Sequence, residues 1–176
     1  EVDMQEANFK WFLNAKVNIT KNCIDRHLAK RGDKTAIIFE PNDPSEAAQH
    51  ISYNELYVRV SKMANVLRDQ GIKKGDRVCI YLPMIPELAV AILACARIGA
   101  IHSVVFAGFS SSAVSARIND SECKMVITSD GSYRGNKAID LKGIVNSVQV
   151  GQAFSLRDWR DYARIVNQSD TVESGD

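Results

Sequence analysis

The sequence predicts an α/β fold: a doubly wound, mostly parallel sheet flanked by helices, with an amino-terminal hairpin. Three observations carry this. Pro86 to Ser110, PELAVAILACARIGAIHSVVFAGFS, reads as a buried helix, a glycine stop, an apolar strand and a glycine turn that opens the next helix, which is one βαβ crossover. From Tyr53 to Val148 the pattern alternates helix, strand, helix, strand, helix, strand, helix, the order of a doubly wound sheet. The strand candidates Arg77–Leu82, Ala100–Phe106 and Lys124–Thr128 are short apolar runs, as expected of strands buried on both faces of a parallel sheet. Three regions follow: 1–52, an amino-terminal helix and hairpin; 53–148, the parallel α/β unit; and 149–176, a tail.

Taken in order, Ile24, His27 and Leu28 fall at i, i+3 and i+4, predicting a short helix that ends at Gly32. Thr35–Phe39 and His50–Ser52 flank the turn-rich PNDPSEAAQ and predict a hairpin. Ser52-Tyr53-Asn54-Glu55 is a capping box, with Ile51 and Leu56 placed as a hydrophobic staple, so a helix starts here. Leu56, Val60, Met63, Ala64 and Leu67 mark its apolar face, and Gly71 ends it. Pro86 and Glu87 suit the first turn of the next helix, which is apolar nearly all round except for Arg97 and stops at Gly99. The strand after it is expected at the centre of the sheet, with His102 as a satisfied core imidazole. Ser110 is placed to cap a helix reaching about Asn119. Ser129–Asn136 reads as loop, and Leu141, Ile144, Val145 and Val148 form the last clear helical stripe. From Gln149 the pattern weakens; Leu156–Val166 has the spacing of one more helix, and Asn167–Asp176 is polar.

Composition narrows the function. The 176 residues are 45% hydrophobic, enough for a core, and Lys+Arg 22 against Asp+Glu 21 leave a net charge of +1. With no basic run interleaved with aromatics, a nucleic-acid surface is not expected. The longest apolar stretch, Leu88–Ile98, is too short to span a bilayer, and the acidic start is unlike a signal peptide. Cys23, Cys79, Cys95 and Cys123 lack CxxC spacing, two of them lie in apolar runs, and the expectation is reduced thiols in a cytoplasmic protein. No P-loop, GxGxxG, nucleophile elbow or metal-ligand cluster is present, so no residue is assigned to catalysis or to a metal. His27 reads as structural.

Two loops remain. Phe106-Ala107-Gly108-Phe109-Ser110 closes a strand and opens a helix, so its N–H groups can meet an anion or an amide; a tight turn with a cap is the alternative. In Tyr133-Arg134-Gly135-Asn136-Lys137, a helix beginning near Asn136 would put two cations at its positive end, which a bound phosphate would relieve. The alternative is two solvated charges at a frayed end.

Together, the stretches NCIDRHLAKRGDKTAIIFE, HISYNEL, GIKKGDRVCIYLPMIPELAVAILACARIGAIHSVVFAGFS and ITSDGSYRGNK resemble the amino-terminal part of the acetyl-CoA synthetases. These are AMP-forming acetate:CoA ligases of the adenylate-forming superfamily, with propionate-using relatives. The resemblance runs from about Phe9 to Val148. It implies acetate, ATP with Mg2+, and coenzyme A as small-molecule ligands, through acetyl-AMP to the thioester. It also implies that Phe106, Ala107 and Gly108 line the pantetheine tunnel, and that the Arg134-Gly135-Asn136-Lys137 loop, through Arg134 and Lys137, holds the nucleotide phosphates of coenzyme A. The phosphate loop, the adenine and ribose motifs and the carboxy-terminal domain with its catalytic Lys have no counterpart here, so the chain is expected to be inactive without the remainder of the enzyme. A free-standing α/β binding module, or the same piece of a propionyl-CoA synthetase, is the alternative. The tail after Val148 matches the pattern poorly.

Overall fold

A computed structural model describes residues 2–5, 7–10, 13–135, 137–148 and 153–155. The chain begins with a two-residue antiparallel ladder, β1 (Val2–Asp3) with β2 (Asn8–Phe9). Helix α1 (Ile19–Cys23), a 3-10 turn (Asp25–His27) and α2 (Leu28–Arg31) replace the single helix expected before Gly32. The break falls at Ile24, whose φ of −123° and ψ of −70° leave the helical region while its side chain goes into the core. The predicted hairpin forms as β3 (Thr35–Phe39) against β4 (Gln49–Ser52), antiparallel.

Helix α3 (Tyr53–Asp69) starts on the Ser52–Glu55 capping box, with both reciprocal hydrogen bonds made, and buries Leu56, Val60, Met63, Ala64 and Leu67 as their spacing requires. Strand β5 (Arg77–Leu82) leads into α4 (Pro86–Arg97), then β6 (Ile101–Phe106), α5 (Ser111–Asp120), β7 (Met125–Thr128), the short strands β8 (Ser132–Arg134) and β9 (Lys137–Ile139), α6 (Leu141–Asn146) and β10 (Ala153–Ser155). Helix α4 stops at Gly99, which has φ +73°; a Cβ there would come within 2.9 Å of the Lys74 side chain, so glycine is required twice over. The Asn18 amide donates to the carbonyls of Ala96 and Arg97 at 3.2 and 3.0 Å, satisfying the end of α4 from a distant part of the chain.

The sheet runs β10-β7-β5-β6, all parallel. From β5 the chain crosses by α4 to one side, then returns by α5 past β5 to the other, which is the doubly wound arrangement. Alternate residues of β5 therefore serve two cores. Val78, Ile80 and Leu82 join α3 and α4, whereas Cys79 and Tyr81 join α5 and α6. Burial pushes the thiols of Cys79 and Cys95 up to about 12, in line with inert core cysteines, while Cys23 is exposed.

Further expectations are corrected. Strand β6 is an edge and not the centre of the sheet among the described residues, because α5 carries the chain back across β5; most of β6 is exposed, and His102 is exposed with it rather than a core imidazole. Residues 132–134 are not loop but pair with 137–139 as a hairpin. The following helix begins at Leu141, capped by Asp140, and not near Asn136. The tail adds a parallel strand, β10, on β7. The helix expected over 156–166 and residue 136 itself lie outside the described residues.

Candidate functional site

Connections reverse direction between β5 and β7, and in open α/β sheets the crevice at that point, beyond the carboxyl ends of the strands, is where ligands bind. Three segments emerge there: the Pro83–Ile85 bend after β5, the Phe106–Ser110 turn after β6, and the β8–β9 hairpin after β7. They enclose a cleft of about 380 Å³ whose lining includes Pro83, Met84, Phe106, Ala107, Gly108, Tyr133 and Ile139. A second cleft, of about 400 Å³, lies between Gly108, Phe109, Ser110, Lys137, Ile139 and Ile144. Gly108 and Ile139 belong to both, so the turn and β9 wall one cleft from the other.

The turn is built from both directions. Ala107 is buried while Phe106 projects, its ring edge-on to Phe109 with centroids 5.9 Å apart. The Phe109 amide donates to the Phe106 carbonyl at 3.0 Å, closing the turn. Ser110 then caps α5 as expected, accepting from the Ala113 amide at 3.4 Å, and this helix start opens on the second cleft. From below, the hydroxyl of fully buried Tyr81 donates to the Phe109 carbonyl at 2.8 Å; burial raises its pKa above the ordinary phenol value.

The basic pair has a different setting from the one its sequence suggests. Arg134 and Lys137 face each other across the end of the β8–β9 hairpin, joined through Gly135 at φ +58°. A tight hairpin end of this kind needs φ > 0, which glycine supplies freely at position 135. Helix α6 starts four residues beyond Lys137, and its end is already satisfied by the Asp140 carboxylate, which accepts from the Gly143 amide at 2.7 Å. The electrostatic misfit of cations at a helix start is therefore absent. What replaces it is proximity: Lys137 is exposed and lines the same cleft as Gly108 and the start of α5.

So the two sequence-predicted loops do meet, Phe106, Ala107 and Gly108 against the strand that carries Lys137. Sequence reasoning missed Pro83, Met84, Tyr133 and Ile139 as cleft walls, and it missed Tyr81. A tyrosine at the end of an otherwise aliphatic buried strand is a signal, since its hydroxyl must find a partner. Among the described residues no group of three or more His, Cys, Asp or Glu is placed to hold a metal ion. No helix among them is long and apolar enough to cross a membrane.

The family model for AMP-binding enzymes matches residues 24–173, most of the chain and all of both clefts. The chain belongs to the AMP-binding enzyme family. Within it, acetyl-coenzyme A synthetase of Desulfatibacillum aliphaticivorans is 61% identical over 137 residues, 78% of this chain and 21% of the relative. That of Magnetococcus marinus is 57% identical over 142 residues, 81% of this chain and 22% of the relative. That of Bradyrhizobium diazoefficiens is 52% identical over 163 residues, 93% of this chain and 24% of the relative. The chain thus spans less than a quarter of the length of these AMP-binding enzymes, and the clefts are one part of whatever site the whole family member assembles.

Proposed function

We propose that the chain is the amino-terminal α/β portion of a cytoplasmic acetyl-CoA synthetase and supplies part of its coenzyme A site. The observation that carries this is the meeting of the Phe106–Gly108 turn with the strand bearing Lys137 at the reversal point of the sheet, in a chain 61% identical to a protein named for that activity. The whole enzyme would join acetate to ATP as acetyl-AMP, releasing pyrophosphate, and then pass the acetyl group to the coenzyme A thiol.

The residues fit the thiol-bearing substrate. A pantetheine arm is long, narrow and only sparsely polar, and the turn offers it a wall of one aromatic ring and two small residues, Ala107 and Gly108, that let the backbone come close. Lys137, with Arg134 opposite it on the hairpin, brings positive charge to where the nucleotide phosphates would lie. Rigid turns at the ends of strands position a ligand better than free loops, because the sheet fixes their bases. ATP, Mg2+ and acetate belong in this reading to the remaining parts of the enzyme, and the 176-residue chain alone has no pyrophosphate exchange activity.

The test is steady-state kinetics on a complete acetyl-CoA synthetase carrying this segment, with coenzyme A varied, beside acetate-dependent pyrophosphate exchange without it. Arg134→Ala should weaken the apparent affinity for coenzyme A by about ten- to a hundredfold, the worth of one charge-assisted contact. It should affect exchange far less. Lys137→Arg keeps its charge and should cost less than Arg134→Ala. An unchanged coenzyme A dependence, or equal damage to both half-reactions, would make the hairpin structural and overturn the assignment.

A further inference from the structure

We propose that Tyr81 is a positioning residue for the coenzyme A site: its buried hydroxyl holds the Phe106–Phe109 turn at the height where it can wall both clefts. Resting on the coenzyme A reading above, the inference adds a group that touches no ligand. Tyr81 lies one residue before the end of β5, paired in register with Val105 of β6, and its side chain enters the core on the α5 and α6 side. From there the hydroxyl reaches past the end of the sheet to donate to the Phe109 carbonyl at 2.8 Å, with the Ala107 carbonyl 3.5 Å away. The bond thus ties β5, the strand that borders the reversal point, to the loop that follows its other neighbour, β6.

A second contact makes the same turn rigid from above. The Arg117 guanidinium of α5 stands 4.4 Å over the Phe109 ring, while its own Nη1 donates to the Ala113 carbonyl at 3.0 Å, so the cation is itself held in place. Phe109 is therefore gripped at its carbonyl by Tyr81 and at its ring by Arg117, with Phe106 edge-on to it. Since Phe106 and Gly108 sit on either side of Ala107 in the four-residue turn, any rotation of Phe109 moves the residues that line the clefts. The turn's shape is fixed before a ligand arrives, which lowers the ordering cost of binding.

Tyr81→Phe keeps the ring in the core and deletes only the donor. In the complete enzyme it should raise KM for coenzyme A by about two- to tenfold, the net worth of one hydrogen bond, with a much smaller change in kcat. In the same variant, amide exchange at Phe109, whose N–H closes the turn, should quicken. Phe109→Leu, which removes the ring but not the hydroxyl's acceptor, should shift KM in the same direction and gives a second test if Tyr81→Phe folds poorly. A purely structural tyrosine would lower Tm and the yield of active enzyme while leaving KM and Phe109 exchange as they were, and that result overturns the inference. If Arg134→Ala raises KM for coenzyme A but Tyr81→Phe and Phe109→Leu do not, the inference fails and the site stands. If none of the three does, while Phe109 exchange still quickens in Tyr81→Phe, the coenzyme A reading fails and the turn's role must be assigned to another ligand, which overturns the inference as stated.

Discussion

Beyond Glu87 in its first turn, Arg97 is the one polar residue of the apolar helix α4, and the structure turns it inward. Its side chain is 2% exposed, with Nη1 and Nη2 forking onto the two Asp25 oxygens at 3.0 and 3.1 Å, Nη1 also donating to the Thr20 hydroxyl at 3.2 Å, and the Tyr57 ring 4.9 Å from the guanidinium carbon. A bidentate pair of this kind is a lock more than a source of stability: removing one partner strands a buried charge. Asp25→Ala should therefore destabilise the protein by about 3 kcal/mol, the low end of the range for a broken buried pair because Asp25 retains some solvent contact. Urea denaturation measures it, and a double mutant with Arg97→Met should recover much of the loss. The lock was invisible in the sequence because its halves lie 72 residues apart and each looks like an ordinary surface charge. Asp76 acts through pH. Hydrogen bonds from the Lys124 side chain and the Lys73 amide hold its carboxyl below the usual carboxylate range. A depressed folded pKa gives stability that is complete above the unfolded value, near 3.9, and is lost as pH falls through the lower folded value. Asp76→Asn should then lower the urea midpoint at neutral pH, with the gap to the wild type narrowing as pH falls below the unfolded value and through the lower folded one.

At the level of elements, legibility follows how local the determining interaction is. The α3 start was readable because the Ser52–Glu55 capping box and the Ile51–Leu56 staple lie within a few residues. So was α4, fixed by Pro86 at one end and Gly99 at the other. The β8–β9 hairpin was not, since strands of three residues carry no usable periodicity and Arg134 and Lys137 look like loop residues. Its one signal was Gly135-Asn136, a hairpin dipeptide read as general loop composition. With the hairpin went the idea of a helix start among the cations, and what stands in its place is the proximity of Lys137 to Gly108 and Ser110. Gly135 is the point on which that proximity turns. At φ +58° a side chain meets its own backbone, at about 1–2 kcal/mol for an ordinary residue and more for a β-branched one. Gly135→Val should open the hairpin end, seen as faster amide exchange across β8 and β9, and weaken coenzyme A binding with Arg134 and Lys137 both intact. Gly135→Asn, a residue that tolerates the left-handed region, should restore most of both.

For the whole molecule, strand order was the feature that local patterns could not supply. The apolar run Ile101–Phe106 satisfies every test for a buried strand, yet whether neighbours flank it on one side or two is decided by the path of α5, which the run does not encode. The outcome is an edge whose backbone groups on one side pair with β5 and on the other have no strand among the described residues, beside Ile101 at 55%, Val104 at 48% and Phe106 at 59% exposure. Long apolar edges are templates for further pairing, and the usual protections, a charge or a proline on the strand, are missing here. A covering element would turn the same residues into core, which explains why they read as core in the sequence. The 176-residue chain by itself should accordingly associate through β6, sedimenting as a concentration-dependent mixture and binding a hydrophobic dye. Val104→Lys places a charge on the exposed face at mid-strand, where a partner strand would have to bury it. It should shift the chain towards a single sedimenting species and reduce dye binding, with little change in folding, because Val104 is already half in water. If Val104→Lys associates as strongly as the parent chain, or the parent is monodisperse at every concentration, the edge is closed by something other than another strand and the account of β6 as an open template is wrong.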